Sequence, residues 1–363
     1  MRSSAAFAPA LLNVALLAAL LLVSEGGRPT AVAMAWAVLA GGVLQLALCL
    51  IAAHRAGLRL RLLPPRMTPR VKELLILILP ATIGAGGYYI SQLFYAYFAT
   101  RLPEGSFVYL SQADRLNQLP LALVGSAIGT AILPAISRHI GLGENRQAAN
   151  IQGRATEIAM LLTIPATIAL AVAARPIMTV LFEGGRFTAA DASTSAMVLA
   201  ILVTGLPAYV MIKVLAPGFY ARKDMKTPVV LTLVTLALGV AANFVWIDDV
   251  GIIILPLTTA AAAWLNALAL YFLLARRGHF RIQSWLAARL GKQLVAAAAM
   301  GGTIWLVGVV LSGYFAGSIG ERLMGTVALI GAGSIVYFAL AWITGGMDRE
   351  DLLVLLRRKK VEG

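Results

Sequence analysis

The stretch Tyr109-Leu-Ser-Gln-Ala-Asp-Arg-Leu-Asn-Gln-Leu-Pro-Leu-Ala-Leu-Val-Gly-Ser-Ala-Ile-Gly-Thr-Ala-Ile-Leu-Pro134 decides the class of fold. It has the length and apolarity of a membrane crossing, for which a helix needs about 20 predominantly apolar residues. It also carries Asp114 and Arg115 near its start. A charge at the centre of a bilayer costs about 2.5 kcal/mol or more, so a chain keeps one there for a reason.

Outward from this stretch the pattern repeats. Ten spans are predicted at about 5–23, 31–53, 73–99, 107–136, 150–174, 191–216, 227–247, 252–275, 286–311 and 323–344. Over 363 residues the chain is 60% hydrophobic and 13% charged, with a mean hydropathy of +0.84. Soluble domains carry about 25% charged residues. The expected fold is therefore an all-α polytopic membrane protein of about ten transmembrane helices.

The formal net charge of +14 could suggest a nucleic-acid surface, but its placement argues otherwise. Alternate connections hold twenty-three lysines and arginines against five, with Arg115 and Lys213 inside spans. Basic short loops stay in the cytoplasm. The expectation is a multi-pass protein of the cell inner membrane with both termini cytoplasmic, attracted to anionic membrane lipids rather than to nucleic acid. Cys49, the single cysteine, falls within a span and permits no intrachain disulfide. The first span is long for a signal-peptide core and Val23-Ser-Glu-Gly-Gly offers no small-x-small cleavage site, so a retained helix is expected.

Loop composition suggests the organisation. Residues 1–54 form two helices, and 55–72 a basic cytoplasmic linker with Pro64, Pro65 and Pro69. Residues 73–275 form a six-helix lobe, 276–346 a further helix pair entered through a basic loop with Trp285 as interfacial anchor, and 347–363 a charged cytoplasmic tail. Four consecutive spans are interrupted, by Pro80 with Gly84, Gly86 and Gly87, then by Pro120, Pro165 and Pro207. Broken helices in membranes are tolerated where they line a cavity or flex.

A helix entering near Phe107 carries Arg115 about 12 Å inward at 1.5 Å per residue. Ser111, Arg115, Gln118, Ala122, Gly125 and Gly129 share its face, polar in the outer half and small in the inner. Asp114 points about 100° away from Arg115, so the two should not simply neutralise each other. The predicted substrate-binding residues are Arg115, Asp114, Ser111 and Gln118, with the planar guanidinium fork matched to phosphate. The alternative is an arginine paired structurally or snorkelling to the interface. For Lys213, four residues before Pro217, snorkelling at the inner end of its span is the favoured reading. Asn243 and Asn266 are expected to hydrogen-bond between helices, and Thr188 with Asp191 has capping-box spacing. All three histidines fall in cytoplasmic loops; no metal-ligand spacing, nucleophile elbow or phosphate loop is present, and carboxylates at depth are scarce. No cofactor, no metal and no enzymatic activity are expected.

Three segments carry a resemblance: Ser111 to Arg138, Leu181-Phe-Glu-Gly-Gly-Arg-Phe-Thr188, and Lys213-Val-Leu-Ala-Pro-Gly-Phe-Tyr-Ala-Arg-Lys-Asp-Met-Lys-Thr-Pro228. They resemble the lipid II flippase family (MurJ, also called MviN), and Phe7-Ala-Pro-Ala-Leu-Leu-Asn13 is similar to the start of that family's fifth helix. The resemblance covers the last ten of the family's fourteen helices. It implies the fold of the multidrug/oligosaccharidyl-lipid/polysaccharide exporters, with alternating-access movement of the undecaprenyl-pyrophosphate-linked peptidoglycan precursor to the outer leaflet. Arg115 matches a cavity arginine implicated in pyrophosphate binding, and the final helix pair borders a groove thought to hold the prenyl tail. The family's other cavity arginines lie in helices this chain lacks, so an N-terminally truncated form is the expectation. Near Tyr95 some members carry an acidic residue. Cell-wall assembly proteins are candidate partners. The alternatives are an exporter of another lipid-linked saccharide and a non-transporting membrane scaffold.

Overall fold

The computed structural model describes residues 2–23, 27–55, 57, 67–69, 71, 91–315 and 317–348. The chain divides into two compact units, Met1–Lys72 and Glu73–Gly363. In the first, α1 (Arg2–Leu22) packs along α2 (Gly27–Arg55). They approach closely at Gly41, where a Cβ would lie 2.8 Å from the Leu12 Cδ1 atom. Small residues at such crossings let backbones come together without a hydrophobic driving force.

The second unit begins, among the described residues, with helical residues 91–99 (α3). Most of the predicted third span, with Pro80 and its three glycines, lies outside the described residues, as do most of the 55–72 linker and the 347–363 tail. Then follow α4 (Ser106–Pro120), a π-helical segment (Leu121–Gly125), α5 (Ser126–Gly141), α6 (Asn145–Val172), α7 (Ala174–Phe182), α8 (Ala189–Leu202), α9 (Leu206–Tyr220), α10 (Lys226–Val250) and α11 (Ile254–Arg276). The unit closes with α12 (Ser284–Val310), the short α13 (Ser312–Phe315) and α14 (Ile319–Thr344). Among the described residues, six helical stretches are long and apolar enough to cross a membrane, one of them the 51-residue Lys226–Arg276. That stretch is two crossings: Gly251, at φ 68°, turns the chain so that α11 packs back on α10. Such a φ suits glycine because it has no Cβ. Membrane helices suit this composition because every backbone group is satisfied internally.

The interruptions differ in kind from one span to the next. Pro120 is followed by the π segment, and Pro207 opens α9 after a 3-10 turn at Val203–Gly205. A proline in a first helical turn gives up an N–H that has no partner there in any case. Pro165 stays inside α6, which runs unbroken past it and ends at Val172, close to the predicted end of the fifth span. Helix α6 is the centre of the packing, touching α5, α9 and α12. Its buried hydroxyls are satisfied one turn back: Thr156 donates to the Gln152 carbonyl at 2.8 Å and Thr163 to Ala159 at 2.7 Å.

The last helices are tied to α6 by polar contacts. The Tyr337 hydroxyl of α14 donates to the Leu161 carbonyl of α6 at 2.8 Å, while Gln293 Nε2 of α12 holds the two last helices together by donating to the Gly346 carbonyl just past α14 at 3.1 Å. Glu157, with 0% side-chain exposure, accepts from Arg154 at 2.7 Å and from Arg289 of α12. Arg289 also reaches Asp348, just past α14, at 2.7 Å. A buried carboxylate needs such partners, since an unpaired ion at depth costs several kcal/mol. On the loop side of α10, burial works against ionisation of Asp224, but hydrogen bonds from Thr227 and Arg277 outweigh it and hold the carboxyl at about 2.

Candidate functional site

The N-terminal end of α4 is fixed first. Gly105 sits at φ 90° before the helix, and a Cβ there would meet the Tyr109 hydroxyl at 2.8 Å. That hydroxyl donates to Asp191. Asp191 in turn accepts from the Thr188 N–H at 2.7 Å and hydroxyl at 2.8 Å, completing the capping box at the start of α8. This chain of contacts sets the register of α4 against α8, and with it the direction in which residue 115 points.

One turn and a half further along α4 lies the wall of a cavity of about 710 Å³. All four predicted residues line it: Ser111, Asp114, Arg115 and Gln118. The Asp114 carboxylate accepts from Gln118 Nε2 at 2.5 Å and from Gln92 Nε2 of α3 at 3.2 Å. Arg115 is exposed to the cavity and makes no hydrogen bond or ion pair with any of the described residues. The alternative of a structurally paired arginine is thereby answered among these residues. An unengaged guanidinium in a largely apolar enclosure is a site for an anion, and its five fixed donors favour a phosphate or carboxylate.

Beyond the C-terminal end of α4, the same wall continues as the π segment. There Val124 and Gly125 are buried, and the stem of Lys213 from α9 lies across Gly125: a Cβ at that glycine would sit 2.6 Å from Lys213 Cδ and 3.1 Å from Nζ. Lys213 therefore lines the cavity, half-buried, rather than reaching for the interface as expected. Depth along a span is readable from sequence; the side of the helix on which a glycine of another helix leaves room is not. Asn117, 3% exposed, and Gln92 also face the cavity and were missed, because a lone amide in an apolar run gives no directional signal.

A smaller cavity of about 120 Å³ adjoins it between α3, α10 and α11. Here the Tyr95 hydroxyl lies 2.5 Å from Thr259 Oγ1 and donates to the Leu255 carbonyl at 3.0 Å. Asn243 accepts from the Thr258 hydroxyl at 2.6 Å and Asn266 donates to Thr232 at 3.0 Å, so both act as interhelical hydrogen-bonders. Among the described residues no three His, Cys, Asp or Glu side chains are grouped to hold a metal.

Residues 3–325 match the family described as "Lipid II flippase MurJ". The "Probable lipid II flippase MurJ" of Rhizobium tropici is 38% identical over 368 residues, covering 98% of this chain and 68% of that protein. Its namesake in Rhizobium meliloti (strain 1021) is 36% identical, covering 99% and 67%. A solved structure, "Lipid II flippase MurJ, inward closed conformation", superposes with a TM-score of 0.73 at 20% identity over 96% of this chain and 68% of that one, a likeness of fold. The chain thus spans about two thirds of the length of these relatives.

Proposed function

The chain belongs to the MurJ family of lipid II flippases, and on that premise we propose that it carries the undecaprenyl-linked peptidoglycan precursor across the cytoplasmic membrane, with Arg115 gripping the diphosphate. It is a membrane transporter, not an enzyme. The observation that carries the site assignment is the guanidinium of Arg115, unengaged among the described residues and open to a 710 Å³ cavity. Asp114 is held by two amides, so it does not quench that cation; it orients Gln118 and Gln92 along the cavity wall. Ser111 and Gln118, one turn to either side of Arg115, supply further polar contacts for the headgroup.

The distribution of lysine and arginine supports cytoplasmic termini and an inner-membrane location. Residues 73–275 act as the lobe that carries the cavity, with 276–346 as an accessory helix pair and 1–54 as two helices of a separate lobe. Binding of lipid II to the purified chain in lipid nanodiscs tests the assignment. Losing a charge-assisted contact of about 1.5–3 kcal/mol corresponds to a fall in affinity of roughly ten- to a hundredfold. Arg115→Ala should show a fall of that order with membrane insertion intact. Unchanged affinity in that variant refutes the role of Arg115.

A further inference from the structure

Two cations line one cavity, and they are far apart. Gly125 follows Arg115 by ten residues along the same helical wall, which places the Lys213 ammonium roughly 15 Å along the helix axis from the Arg115 backbone at 1.5 Å per residue. Helical side chains lean toward the N-terminus, so the guanidinium of Arg115 tilts away from Lys213 rather than toward it. One diphosphate, whose two phosphorus atoms share an oxygen, does not bridge that gap. The two cations are not the jaws of a single clamp.

Lys213 has no other evident task. It makes no ion pair or hydrogen bond among the described residues. Its stem lies against Gly125, at the end of the π segment, where any larger residue would displace it. Segments of π-helix in α-helices are frequent at functional sites, and here the segment ends where the lysine crosses. The apolar stem is accommodated, and the ammonium is delivered to the cavity.

We infer that Lys213 is a second, inner station for the anionic headgroup, occupied in alternation with the outer station at Arg115. This rests on the cargo reading given above. An anion that must both enter and leave a membrane path passes more readily over several weak sites than over one deep one. A compact ammonium offers a weaker, less directional hold than a guanidinium fork, which suits an intermediate stop. On the orientation proposed above, Lys213 lies toward the cytoplasmic leaflet and Arg115 toward the outer one, so the order of stations follows the direction of transport.

Equilibrium binding of undecaprenyl diphosphate to the full chain in nanodiscs separates the cases. Methionine preserves the unbranched stem over Gly125 while removing the charge, so Lys213→Met is a test of charge and not of packing. With two alternative stations, Lys213→Met alone changes affinity by less than about twofold, because Arg115 retains the ligand; on an Arg115→Met background the same change lowers the residual affinity by at least about tenfold. Lys213→Arg on that background keeps the residual binding. If the double variant binds as well as Arg115→Met, Lys213 is no station and the inference falls while the cargo reading stands. If Lys213→Met alone loses as much as the double variant, the cations act as one clamp and the two-station account is wrong. If the unaltered chain shows no saturable binding, the cargo reading falls first and the inference with it.

Discussion

Replacing Glu157 with alanine removes the carboxylate on which Arg154 of the same helix and Arg289 of α12 converge. Each charge-assisted hydrogen bond is worth about 1.5–3 kcal/mol, so two of them set an upper bound of about 3–6 kcal/mol. The full amount is not lost. Arg154 and Arg289 keep Asp348 as a partner, and their side chains are 31% and 25% exposed, so water screens part of the interaction. A net loss of about 2–3 kcal/mol remains, below the roughly 3–5 kcal/mol that follows when a fully buried ion is stranded.

At about 2–4 °C per kcal/mol for a large domain, this corresponds to a fall in Tm of roughly 5–10 °C. Intrinsic tryptophan fluorescence in a fixed detergent at a fixed heating rate reads it, since unfolding of such proteins is often irreversible and scan-rate dependent. Glu157→Gln, which keeps an acceptor of the same shape, should lose about half as much. The cycle of Glu157→Ala with Arg289→Ala should show coupling of about 1 kcal/mol or more, because both removals break one contact. Additive losses in that cycle, or an unchanged Tm in Glu157→Ala, would refute the view that this network binds α12 and the residues after α14 to the lobe.

Two further outcomes follow from local geometry. Asp224 has a depressed folded-state value of about 2, so its contribution is fully present above the unfolded value of about 3.9 and is lost as pH falls toward 2; the Tm gap between the unaltered chain and Asp224→Asn should be constant from about pH 5 to about pH 8, and close only below about pH 4. A gap that closes near neutrality would contradict the Thr227 and Arg277 contacts. At Gly205 a Cβ would meet the Ala260 backbone Cα at 2.9 Å, and backbone cannot swing aside as a side-chain tip does. Gly205→Ala should cost about 1–3 kcal/mol, seen as a lower Tm, and a neutral result would mean that α9 and α11 separate there without penalty.

The architecture was legible where a single physical quantity governs it. Length and apolarity mark the crossings, so the predicted spans and the observed helices coincide over most of the described residues, and the capping box at Thr188 stands where its spacing placed it. The place of Arg115 on a cavity wall was legible for the same reason: at depth, charge is costly enough to be informative in isolation. Proline was a poorer guide, since whether its lost hydrogen bond breaks a helix depends on which neighbours can satisfy the freed carbonyl. That is why the fifth span passes Pro165 unbroken, where an interruption was expected. Lys213 shows the general limit. Its depth permits two destinations, the interface or the cavity, and the choice is made on another helix by a residue whose relevant property is the absence of a side chain. Neither Lys213 nor Gly125 signals this alone; only their contact does, and a contact between distant parts of the chain is what a periodicity argument cannot supply. The same holds for Glu157, whose partners Arg289 and Asp348 come from two later elements. Sequence fixes the depth of a polar group in a membrane protein, and tertiary packing decides which way it faces.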